Sequence, residues 1–475
     1  MNWFINTITF AIASVAASAT VLNVGTGQQY TDVAVAVRAA TPGDTVLIHP
    51  GTYRGTFWIE NINGRVNERI VIRGTERSTV VFDGGTESMH FSDCSYLTLE
   101  NFTVRGQTGN GMNIDDAGTI ETPAHHFLIR NVTFTDMNAT GNNDHLKLSG
   151  LSDFRITECL FERGSTGGSG IDMVGCFNGS IDNNSFRSQG SNAIQAKGGT
   201  RFILIRANMF VDAGQRAVNL GGSTGLQFFR PIDATFEAAD LQVYANVFIR
   251  SVAPIAYVGC VRVDVANNTI IHPERWVFRV LQETVDPTRF QPCGDNSFRN
   301  NIIVYRSTIS THVNIGGNTA PETFTLSNNL WYNSDDPTRS RPSLGVMTET
   351  ASIYGQDPLL VNVLTDQHLQ SSSPAIGKGL LISDTLTDLS GRRFASPPSI
   401  GAYEGASTTS VSDEQTSQQL IRRISADQVK ITIPPGTDVL LYVVYDLGGR
   451  IIRSSRIGEG EHIVNVSLNE FVVVK

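Results

Sequence analysis

The sequence predicts an all-β solenoid, in which short β-coils stack along one axis. The first observation behind this prediction is a repeated phrase of alternating apolar residues followed by Asn, a spacer and another apolar residue, with Cys replacing Asn in one copy. The phrase recurs at Asn101, Asn131, Cys159, Asn184, Asn208, Asn246, Asn268, Asn301 and Asn329. The shortest interval, from 246 to 268, is 22 residues, and the longest, from 208 to 246, is 38. Repeats of this length are typical of solenoids, whose units bury their apolar sides by stacking.

The composition of the repeats is the second observation. Each repeat is rich in β-branched and aromatic residues at a period of two and is punctuated by Gly, Asn and Asp, which predicts short strands joined by tight corners. The 475 residues include 44 Gly, and tight corners need the backbone freedom of glycine. Because the core of a solenoid runs along its axis, a chain of this length does not require several globular domains.

Elements ahead of the repeats are typical of the entry to such a stack. They comprise a helix at Val33–Ala40, turns at Pro42–Asp44 and Pro50–Tyr53, and strands at Thr45–His49, Arg69–Arg73 and Thr79–Phe82. The phrase PGDTVLIHPGTY in this region resembles the N-terminal cap of right-handed parallel β-helix proteins, and the resemblance covers Val21 to Glu404. It implies that fold for residues 20–404. It also implies that the repeated Asn side chains stack as an asparagine ladder, which satisfies buried donors and acceptors.

Charge and cysteine content limit the functional classes. The net charge of −9 and the isoelectric point near 5.5 argue against a nucleic-acid-binding protein, which would carry a basic surface. The five cysteines show no C-x-x-C spacing that would indicate a metal or redox site, and their odd number leaves at least one thiol unpaired. We expect the chain to act as a monomer.

The N-terminus is predicted to direct export. Residues 1–19 are interpreted as a signal peptide, because the apolar run Ile8–Ala17 leads into Ala17–Ser18–Ala19, which is an A-x-A cleavage pattern. The sequence contains no second apolar stretch of membrane length. We therefore expect a secreted or cell-surface protein without a membrane span.

The C-terminal part is predicted to be a separate, small β-sandwich-like domain at residues 426–475, joined by a polar linker at 405–425. Its strand-like segments are Val429–Ile433, Val439–Tyr445, Ile451–Arg456 and His462–Leu468, with a turn at 447–450. The phrase VVYDLGGRIIRS resembles the sorting domain of type IX secretion cargo, which implies that secretion machinery is a partner. A generic β-sandwich appended for adhesion is the alternative. Upstream, Asp357–Glu404 resembles the terminal coils of exported bacterial β-helix proteins.

Function is expected on the outer face of the middle coils, where the phrases HLKLSG, GIDMVG, AIQAKG and AVNLGG align. Strand alternation predicts an outward column of Lys147, Asp172, Gln195 and Asn219, extended by Arg279, with His145 and Lys197 on flanking columns. Neighbouring side chains of one column lie about 4.8 Å apart, so these groups form one polar strip. Amide, carboxylate and amine groups in such a strip suit hydroxyl-rich, anionic polysaccharides.

The segment AIQAKGG…VDAGQRAVNLGG resembles the catalytic part of the chondroitinase B and alginate lyase group of polysaccharide lyases. The resemblance implies β-elimination on a uronate-containing polysaccharide, with Lys197 as the base and Arg216 supporting the leaving oxygen. Gly221 aligns with Lys197, however, so Arg216 lies five residues earlier, which is roughly 16 Å along a straight strand. The resemblance also implies a bound Ca²⁺ that neutralises the uronate carboxylate. The nearby candidate ligands are Asp172, Asp144 and Asn143.

Two long intervals between repeats add candidate substrate-binding loops, because long ordered loops on a solenoid commonly carry binding. Aromatic rings beside arginines suit stacking on sugar rings and pairing with carboxylate or sulfate. Together with the column, they give the predicted substrate-binding residues Gln195, Asn219, Arg230, Phe228, Phe229, Arg279 and Trp276.

Each catalytic candidate also has a purely structural interpretation. Lys147 beside Asp172 could be a surface ion pair worth under about 1 kcal/mol. Lys197 could be a solvated lysine and Arg216 could cap a coil corner, while His145 could be a hydrogen-bonded surface residue. Two other functions stay open, namely a β-helix glycoside hydrolase centred on Asp172 and a non-catalytic glycan-binding or adhesive protein. The preferred hypothesis is a secreted polysaccharide lyase.

Overall fold

The structure is a computed structural model that describes residues 19–383, 386–405, 421–425, 428–433, 440–446, 451–457, 460–465 and 470–474. The chain divides into two compact units, Met1–Ser407 and Thr408–Lys475. The predicted signal peptide, apart from residue 19, lies outside the described residues. So do the polar stretch at 406–419 and the predicted turn at 447–450.

The first unit consists of three long parallel sheets. Sheet 1 contains the ten strands Phe57–Glu60, Met89–Ser92, Met112–Asp115, Leu146–Ser149, Ser169–Val174, Asn192–Lys197, Arg216–Gly221, Ala253–Val258, Phe278–Leu281 and Val313–Ile315. Sheet 2 contains the sixteen strands Val21–Val24, Thr45–Ile48, Ile70–Gly74, Leu97–Glu100, Ala124–His125, Leu128–Arg130, Leu151–Thr157, Phe177–Asp182, Thr200–Arg206, Ala238–Ala239, Gln242–Tyr244, Cys260–Val261, Asp264–Ala266, Ser297–Arg299, Thr325–Ser327 and Glu349–Thr350. Sheet 3 contains the twelve strands Gly51–Tyr53, Val80–Asp83, Thr103–Arg105, Thr133–Thr135, Leu160–Glu162, Ser185–Arg187, Met209–Val211, Val247–Ile249, Thr269–Ile271, Ile302–Tyr305, Leu330–Asn333 and Ile353–Tyr354.

The chain visits these sheets in a fixed order. One coil runs through Leu146–Ser149 in sheet 1, Leu151–Thr157 in sheet 2 and Leu160–Glu162 in sheet 3 before the next coil enters sheet 1 at Ser169–Val174. Neighbouring strands within each of the three sheets are parallel, and connections between parallel strands are right-handed. The unit is therefore the predicted right-handed parallel β-helix.

The elements that lead into the β-helix largely agree with the prediction. The helix Val33–Ala39 begins after Asp32, whose carboxylate accepts a hydrogen bond from the Val35 amide at 2.9 Å, a normal N-terminal cap. The turn predicted at Pro50–Tyr53 is wrong, because Gly51–Tyr53 forms the first strand of sheet 3. Three short 3₁₀ turns occur in the loops at Leu226–Phe228, Pro321–Thr323 and Pro337–Arg339.

An asparagine ladder lies at the corner between sheets 2 and 3. Its members are Asn184, Asn208, Asn246, Asn268, Asn301 and Asn329. Each amide nitrogen donates to the next asparagine oxygen at 3.0–3.1 Å. Each of those oxygens also accepts the backbone N–H of the preceding member at 2.8–2.9 Å. All six residues are buried, so the ladder satisfies groups that would otherwise be costly to bury.

Two predicted members, Asn101 and Asn131, are not part of this ladder. Both adopt positive φ, 62° and 53°, and occupy the position that Glu158 holds in the next coil with φ 58°. The register of the strands that follow sets Val132 level with Cys159, so these two asparagines lie one residue early. Asparagine is enriched in the left-handed region of backbone conformation. This preference explains why these two coils also carry an asparagine in the repeated phrase, one residue before the ladder position.

Aromatic and aliphatic side chains fill the interior. Five phenylalanines of sheet 3 form a stack: Phe134, Phe161, Phe186, Phe210 and Phe248. Their centroids are 4.6–5.0 Å apart and their planes lie within 8° of parallel. The five cysteines are all buried and free.

The segment after the last coil does not form further coils, which corrects the expectation for Asp357–Glu404. Its hairpin, Leu360–Asn362 with Asp366–Leu369, is antiparallel. Residues such as Ile400 and Ala402 join a buried cluster with the outward-facing residues of sheet 3. The Ala402 N–H donates to Thr269 Oγ1 at 2.9 Å. This segment therefore covers the outer face of sheet 3.

The second unit contains six described strands in two three-stranded antiparallel sheets. The sheet orders are Ile421–Ser425, Gln428–Ile433, Gly460–Asn465 and Ile451–Ile457, Leu440–Asp446, Glu470–Val474. All four predicted segments correspond to strands, whereas Ile421–Ser425 lies within the range predicted as linker. Among the residues that the structure describes, no helix is both long and apolar enough to cross a membrane.

Candidate functional site

The predicted outward column exists in the backbone register of sheet 1. Lys147 pairs with Asp172, Asp172 with Gln195, and Gln195 with Asn219. The same column continues through Ala256 to Arg279 and Asn314, and in the other direction through Asn113 and His90 to Trp58. We call these ten positions the outer column.

A cluster of charged side chains lies in the middle of the outer column. Asp172 is fully buried, and its Oδ2 contacts the Lys147 ammonium, while Lys197 Nζ lies 3.4 Å from the same oxygen. Asp172 Oδ1 is buried and has no hydrogen-bond partner among the described residues. Lys197 is itself buried, with 11% of its side chain exposed. The interpretations of Lys147 with Asp172 as a surface ion pair and of Lys197 as a solvated lysine are therefore wrong.

Asp144 adds a second carboxylate to this cluster. Its Oδ2 lies 3.7 Å from Lys147 Nζ, and its Oδ1 accepts the Ser169 N–H at 2.7 Å. Burial, together with the negative charge of Asp172, raises the pKa of Asp144 to about 6. Burial alone would lower the pKa of Lys147, but the carboxylates of Asp172 and Asp144 outweigh burial and raise it. Lys147 is therefore positively charged at neutral pH.

The residues around Asp172 do not fit a calcium site. Ca²⁺ takes six to eight oxygen ligands, whereas two ammonium groups already contact Asp172 Oδ2. The Asn143 side-chain nitrogen donates to Thr140 O at 2.6 Å. Within the described part of the chain, no group of three or more His, Cys, Asp or Glu side chains is arranged to hold a metal ion. Calcium binding stays a prediction that this donor set does not favour.

His145 faces the interior instead of the outer surface. The residue is 1% exposed, and its ring lies 6.2–6.4 Å from the rings of Phe134 and Phe161 in the aromatic stack. Burial lowers its pKa to about 4, so the ring is neutral at pH 7. The prediction of an outward-facing His145 is wrong, because the strand and its alternation begin one residue later, at Leu146.

Arg216 lies apart from Lys197. It pairs in register with Asn192, five residues before Lys197 in the same strand. Its guanidinium donates to Asn219 Oδ1 at 3.2 Å and to Glu283 Oε1 at 2.6 Å. The lateral offset expected from the sequence is therefore present, and Arg216 belongs to a different part of the outer face.

The loop after Gly221 passes over the charged cluster. A Cβ atom on Gly222 would lie 2.6 Å from Gln195 Nε2 and 3.4 Å from Lys197 Cδ, so the loop backbone lies against both side chains. Glu237 anchors the loop from a fully buried position. Its carboxylate accepts the Gly198 and Thr224 N–H groups, each at 2.9 Å, and the Thr224 hydroxyl at 2.7 Å.

The residues predicted to bind substrate from the loop after Gly221 differ in their exposure and in their contacts. Arg230 forms an ion pair with Asp116, including a 2.8 Å bond, and Phe229 is buried against Phe290. These contacts give Arg230 and Phe229 structural partners and correct the expectation that they are open to substrate. Phe228 is 55% exposed and stays a candidate for contact with a sugar.

Trp276 and Arg279 lie beyond the loop, at the far end of the outer column. The guanidinium carbons of Arg275 and Arg279 lie 4.1 and 4.5 Å from the Trp276 ring centroid. Arg279 Nε also donates to Asn314 Oδ1 at 2.9 Å. This part of the column is therefore cationic and aromatic, as the sequence predicted.

Sequence reasoning missed a second polar cluster at the opposite end of the outer column. His90 bridges Asp115, at 2.6 Å, and Glu87, at 3.0 Å, and stacks on Trp58 at a centroid distance of 4.1 Å. Burial alone would lower the pKa of His90, but the two carboxylates outweigh burial and raise it to about 9. Trp58 is 52% exposed. The signal lay in residue type alone, because the strands of Trp58 and His90 precede the first repeat at Asn101.

A shallow groove of about 480 Å³ lies elsewhere, at the corner between sheets 2 and 3. Its lining includes Arg77, Glu158 and Arg187 together with Leu389 from the covering segment. The charged cluster and the outer column do not line it. We place the candidate site on sheet 1 because the buried and strongly interacting ionisable groups converge there.

Comparisons with known proteins agree with this architecture. A family model described as "Right handed beta helix region" matches residues 69–270, a range that contains the charged cluster. The pectate lyase Pel9A is 14% identical over 82% of this chain and 97% of that chain, with a TM-score of 0.51.

Two further solved structures are more distant. An alginate lyase from Paenibacillus sp. str. FPU-7 is 15% identical over 63% of this chain and 96% of that chain, with a TM-score of 0.39. The A-module of mannuronan C-5 epimerase AlgE6 from Azotobacter vinelandii is 14% identical over 67% and 94%, with a TM-score of 0.45. No curated protein matches the sequence. Identities this low show the fold and leave the chemistry to the site.

Proposed function

We propose that this chain is an exported, polysaccharide-active β-helix protein that binds an acidic glycan along the outer face of sheet 1 and cleaves it by β-elimination. One observation carries the proposal: two lysines on different strands share the buried carboxylate of Asp172 in the middle of the outer column. Perturbed, convergent ionisable groups are typical of catalytic sites. The fold shared with a protein named a pectate lyase is consistent with this function.

The proposed roles of the two lysines differ. Lys147 keeps its proton, because two carboxylates raise its pKa, so it serves as the cation and proton donor. Lys197 is the proposed base, whose nitrogen, once it has released a proton, takes the hydrogen from the carbon α to the uronate carboxylate. The electron pair of that C–H bond forms a carbon–carbon double bond, and the glycosidic C–O bond at the β position breaks. The leaving oxygen takes its proton from Lys147.

Asp172 is proposed to position both lysines. Its Oδ2 contacts the Lys147 ammonium and lies 3.4 Å from Lys197 Nζ, while its buried Oδ1 has no partner among the described residues. Buried polar atoms without a partner are rare in folded proteins, and a sugar hydroxyl or a water molecule would satisfy this one. The loop backbone at Gly222 lies against the Lys197 side chain, 11% of which is exposed, so the glycan approaches this amine beside the loop.

The test is incubation of the purified protein with alginate, pectate, ulvan, heparinoids and the chondroitin and dermatan sulfates. Elimination produces a conjugated, unsaturated uronate that absorbs in the ultraviolet, and hydrolysis does not. We expect absorbance to rise with the unaltered protein and with the control Lys378→Ala, whose side chain is exposed outside the site. We expect Lys197→Ala to lower the rate by at least about 100-fold, the usual contribution of a positioned base. Unchanged turnover in Lys197→Ala would exclude it as the base.

A second candidate function is hydrolysis, which the pKa of Asp144 favours. A carboxyl group with a pKa near 6 can donate a proton at neutral pH, and Asp172 is a second carboxyl group on the same ammonium. Hydrolysis would produce new reducing ends without ultraviolet absorbance. In that case Asp144→Asn should abolish activity, and the rate should fall as pH rises above about 6.

A binding protein without catalysis is the remaining alternative. It would retain affinity for a glycan from the same panel and yield neither unsaturated product nor reducing ends. Lys197→Ala would then change the affinity and no rate.

A further inference from the structure

The far end of the outer column contains more positive than negative charge. The charges of Arg216 and Arg275 both act on Arg279 there, and the carboxylate of Glu283 opposes them. Arg216 binds Glu283 directly at 2.6 Å, while Arg275 and Arg279 lie over Trp276 at 4.1 and 4.5 Å.

The contacts of Arg279 show that this charge is not neutralised locally. Its Nε donates to the neutral amide oxygen of Asn314. Burial lowers the pKa of Arg279, and so do the charges of Arg216 and Arg275, with Glu283 as the opposing group. Like charges held near one aromatic ring repel each other unless an anion joins them.

The position of these groups connects them to the glycan face. Arg279 belongs to the outer column, two strands beyond Asn219, with Ala256 between them. Arg216 links the two parts, because its guanidinium donates to Asn219 Oδ1 at 3.2 Å. Ala256 contributes only a methyl group to the column and is itself fully buried.

We propose that Arg216, Arg275, Arg279 and Trp276 form a subsite that binds the anionic group of one sugar residue, a carboxylate or a sulfate, beginning on the strand next to that of Lys197 and extending two strands further. The inference rests on the proposed binding of a glycan to this face. Guanidinium groups bind carboxylate and sulfate through paired hydrogen bonds, and the indole ring of Trp276 holds the Arg275 and Arg279 guanidinium groups that lie over it. Arg216 is thus a binding residue and does not assist the leaving oxygen.

Such a subsite would set specificity instead of rate. An anionic group bound by two or more guanidinium groups fixes the register of the chain along the strip, so that one particular glycosidic bond lies over Lys197. A neutral glycan of the same length would lack this anchor and would bind in several registers.

Calorimetric titration with hexasaccharides of alginate and chondroitin sulfate tests the subsite. Each is compared with its carboxyl-reduced form, and the chondroitin hexasaccharide also with its desulfated form. All titrations use the Lys197→Ala protein, which prevents turnover. We expect at least one anionic hexasaccharide to bind about tenfold more tightly than its neutralised counterpart, in line with a charged hydrogen bond. Loss of that advantage on carboxyl reduction identifies a carboxylate as the bound group, and loss on desulfation identifies a sulfate.

Single arginine substitutions show which side chains cause the preference for the anionic ligand. In the same background, Arg279→Gln and Arg275→Gln should each lower the affinity for the anionic ligand about tenfold and leave that for the neutralised ligand within about twofold. The matched control is Arg262→Gln, which removes an arginine paired with Asp240 between strands of sheet 2. Arg279→Lys keeps the charge and should recover part of the loss.

Several results would overturn the subsite. They are equal affinity for anionic and neutralised ligands, equal losses in the Arg262→Gln control, and no binding by any anionic hexasaccharide. These results are distinct from a failure of the proposed elimination, which the unaltered protein reveals as a missing unsaturated product. Charge-selective binding without such a product would support the subsite and reject the lyase.

Discussion

At the scale of single residues, charge and hydrogen bonding on sheet 1 are arranged in pairs that bridge successive strands. His90 with Asp115, and Lys147 with Asp172, are such pairs, since their strands are adjacent in the sheet. A pair that joins neighbouring coils ties the stack together and also fixes where each charge points. The same contacts therefore contribute to stability and shape the surface that a ligand meets.

Replacing His90 with Gln tests the first of these pairs. The pKa of His90 is raised from 6.5 to about 9 in the folded protein. Its stabilisation is therefore complete below pH 6.5 and is lost as pH rises through 9. We expect His90→Gln to lower the free energy of unfolding by about 2 kcal/mol at pH 6 and by much less at pH 10. Urea unfolding at both pH values measures the difference, with His368→Gln as an exposed control. An equal loss at both pH values would show that charge is not the cause.

The asparagine ladder gives a second prediction at this scale. Asn208→Ala removes an oxygen that accepts two bonds from Asn184 and a nitrogen that donates to Ile181 O. Because buried groups are left unpaired, we expect a loss of about 3 kcal/mol. Asn131→Ala, outside the ladder, removes one partly buried hydrogen bond to Asn101 Oδ1 and places alanine in a left-handed conformation, so it should cost less, about 1–2 kcal/mol. Equal losses in thermal or urea unfolding would mean that the ladder contributes no more than a corner residue.

At the scale of elements, the loop from Gly221 to Glu237 connects the fold to the site. It leaves sheet 1 beside the charged cluster, covers Lys197 and returns to the buried carboxylate of Glu237. A long insertion at this one corner therefore lies directly against the Lys197 and Gln195 side chains.

Glu237→Gln tests this anchoring. An amide has one acceptor oxygen where the carboxylate has two, so at least one of the bonds to Gly198 and Thr224 is lost. We expect hydrogen exchange of the amides at 222–237 to accelerate at least about tenfold, which corresponds to roughly 1.4 kcal/mol of local stability. The control Glu322→Gln, at an exposed turn, should leave this loop unchanged. Unaltered exchange in Glu237→Gln would show that other contacts hold the loop.

The elements also show what sequence patterns can and cannot predict. The period of the repeats and their strand alternation predicted the coil stack and the column from Lys147 to Asn219, because both depend on local chain geometry. The same alternation misplaced His145, which precedes its strand and turns inward. Strand alternation also could not reveal that Gly222 lies against Lys197, because that contact depends on how a long loop folds back.

At the scale of the whole molecule, the faces of the β-helix are not equivalent. The segment at 357–404 covers outward apolar residues of sheet 3, whereas sheet 1 presents the outer column. The sequence resemblance to terminal coils did not predict this covering, because apolar residues that pack on a neighbouring sheet look like coil interior. One face is thus closed by the chain itself, whereas in the described part of the chain the polar face of sheet 1 is covered only at its centre, by the loop after Gly221.

A glycan that binds this molecule should therefore protect one sheet. We expect hydrogen exchange to slow in the sheet 1 strands Ser169–Val174, Asn192–Lys197 and Arg216–Gly221 when an acidic oligosaccharide is added to the Lys197→Ala protein. The sheet 3 strands Ser185–Arg187 and Met209–Val211, from the same coils, serve as internal controls. Equal protection of both sheets, or protection of sheet 3 alone, would place the ligand elsewhere.

The most direct measurement of the proposed chemistry is the mass of the oligosaccharides released from the acidic polysaccharide that the protein degrades. Elimination adds no water, so each new end that carries the double bond makes its fragment one water lighter than the product of hydrolysis. We expect these lighter fragments from the unaltered protein and none from Lys197→Ala. Fragments that all contain the added water would contradict β-elimination and assign the site to hydrolysis through Asp144 and Asp172.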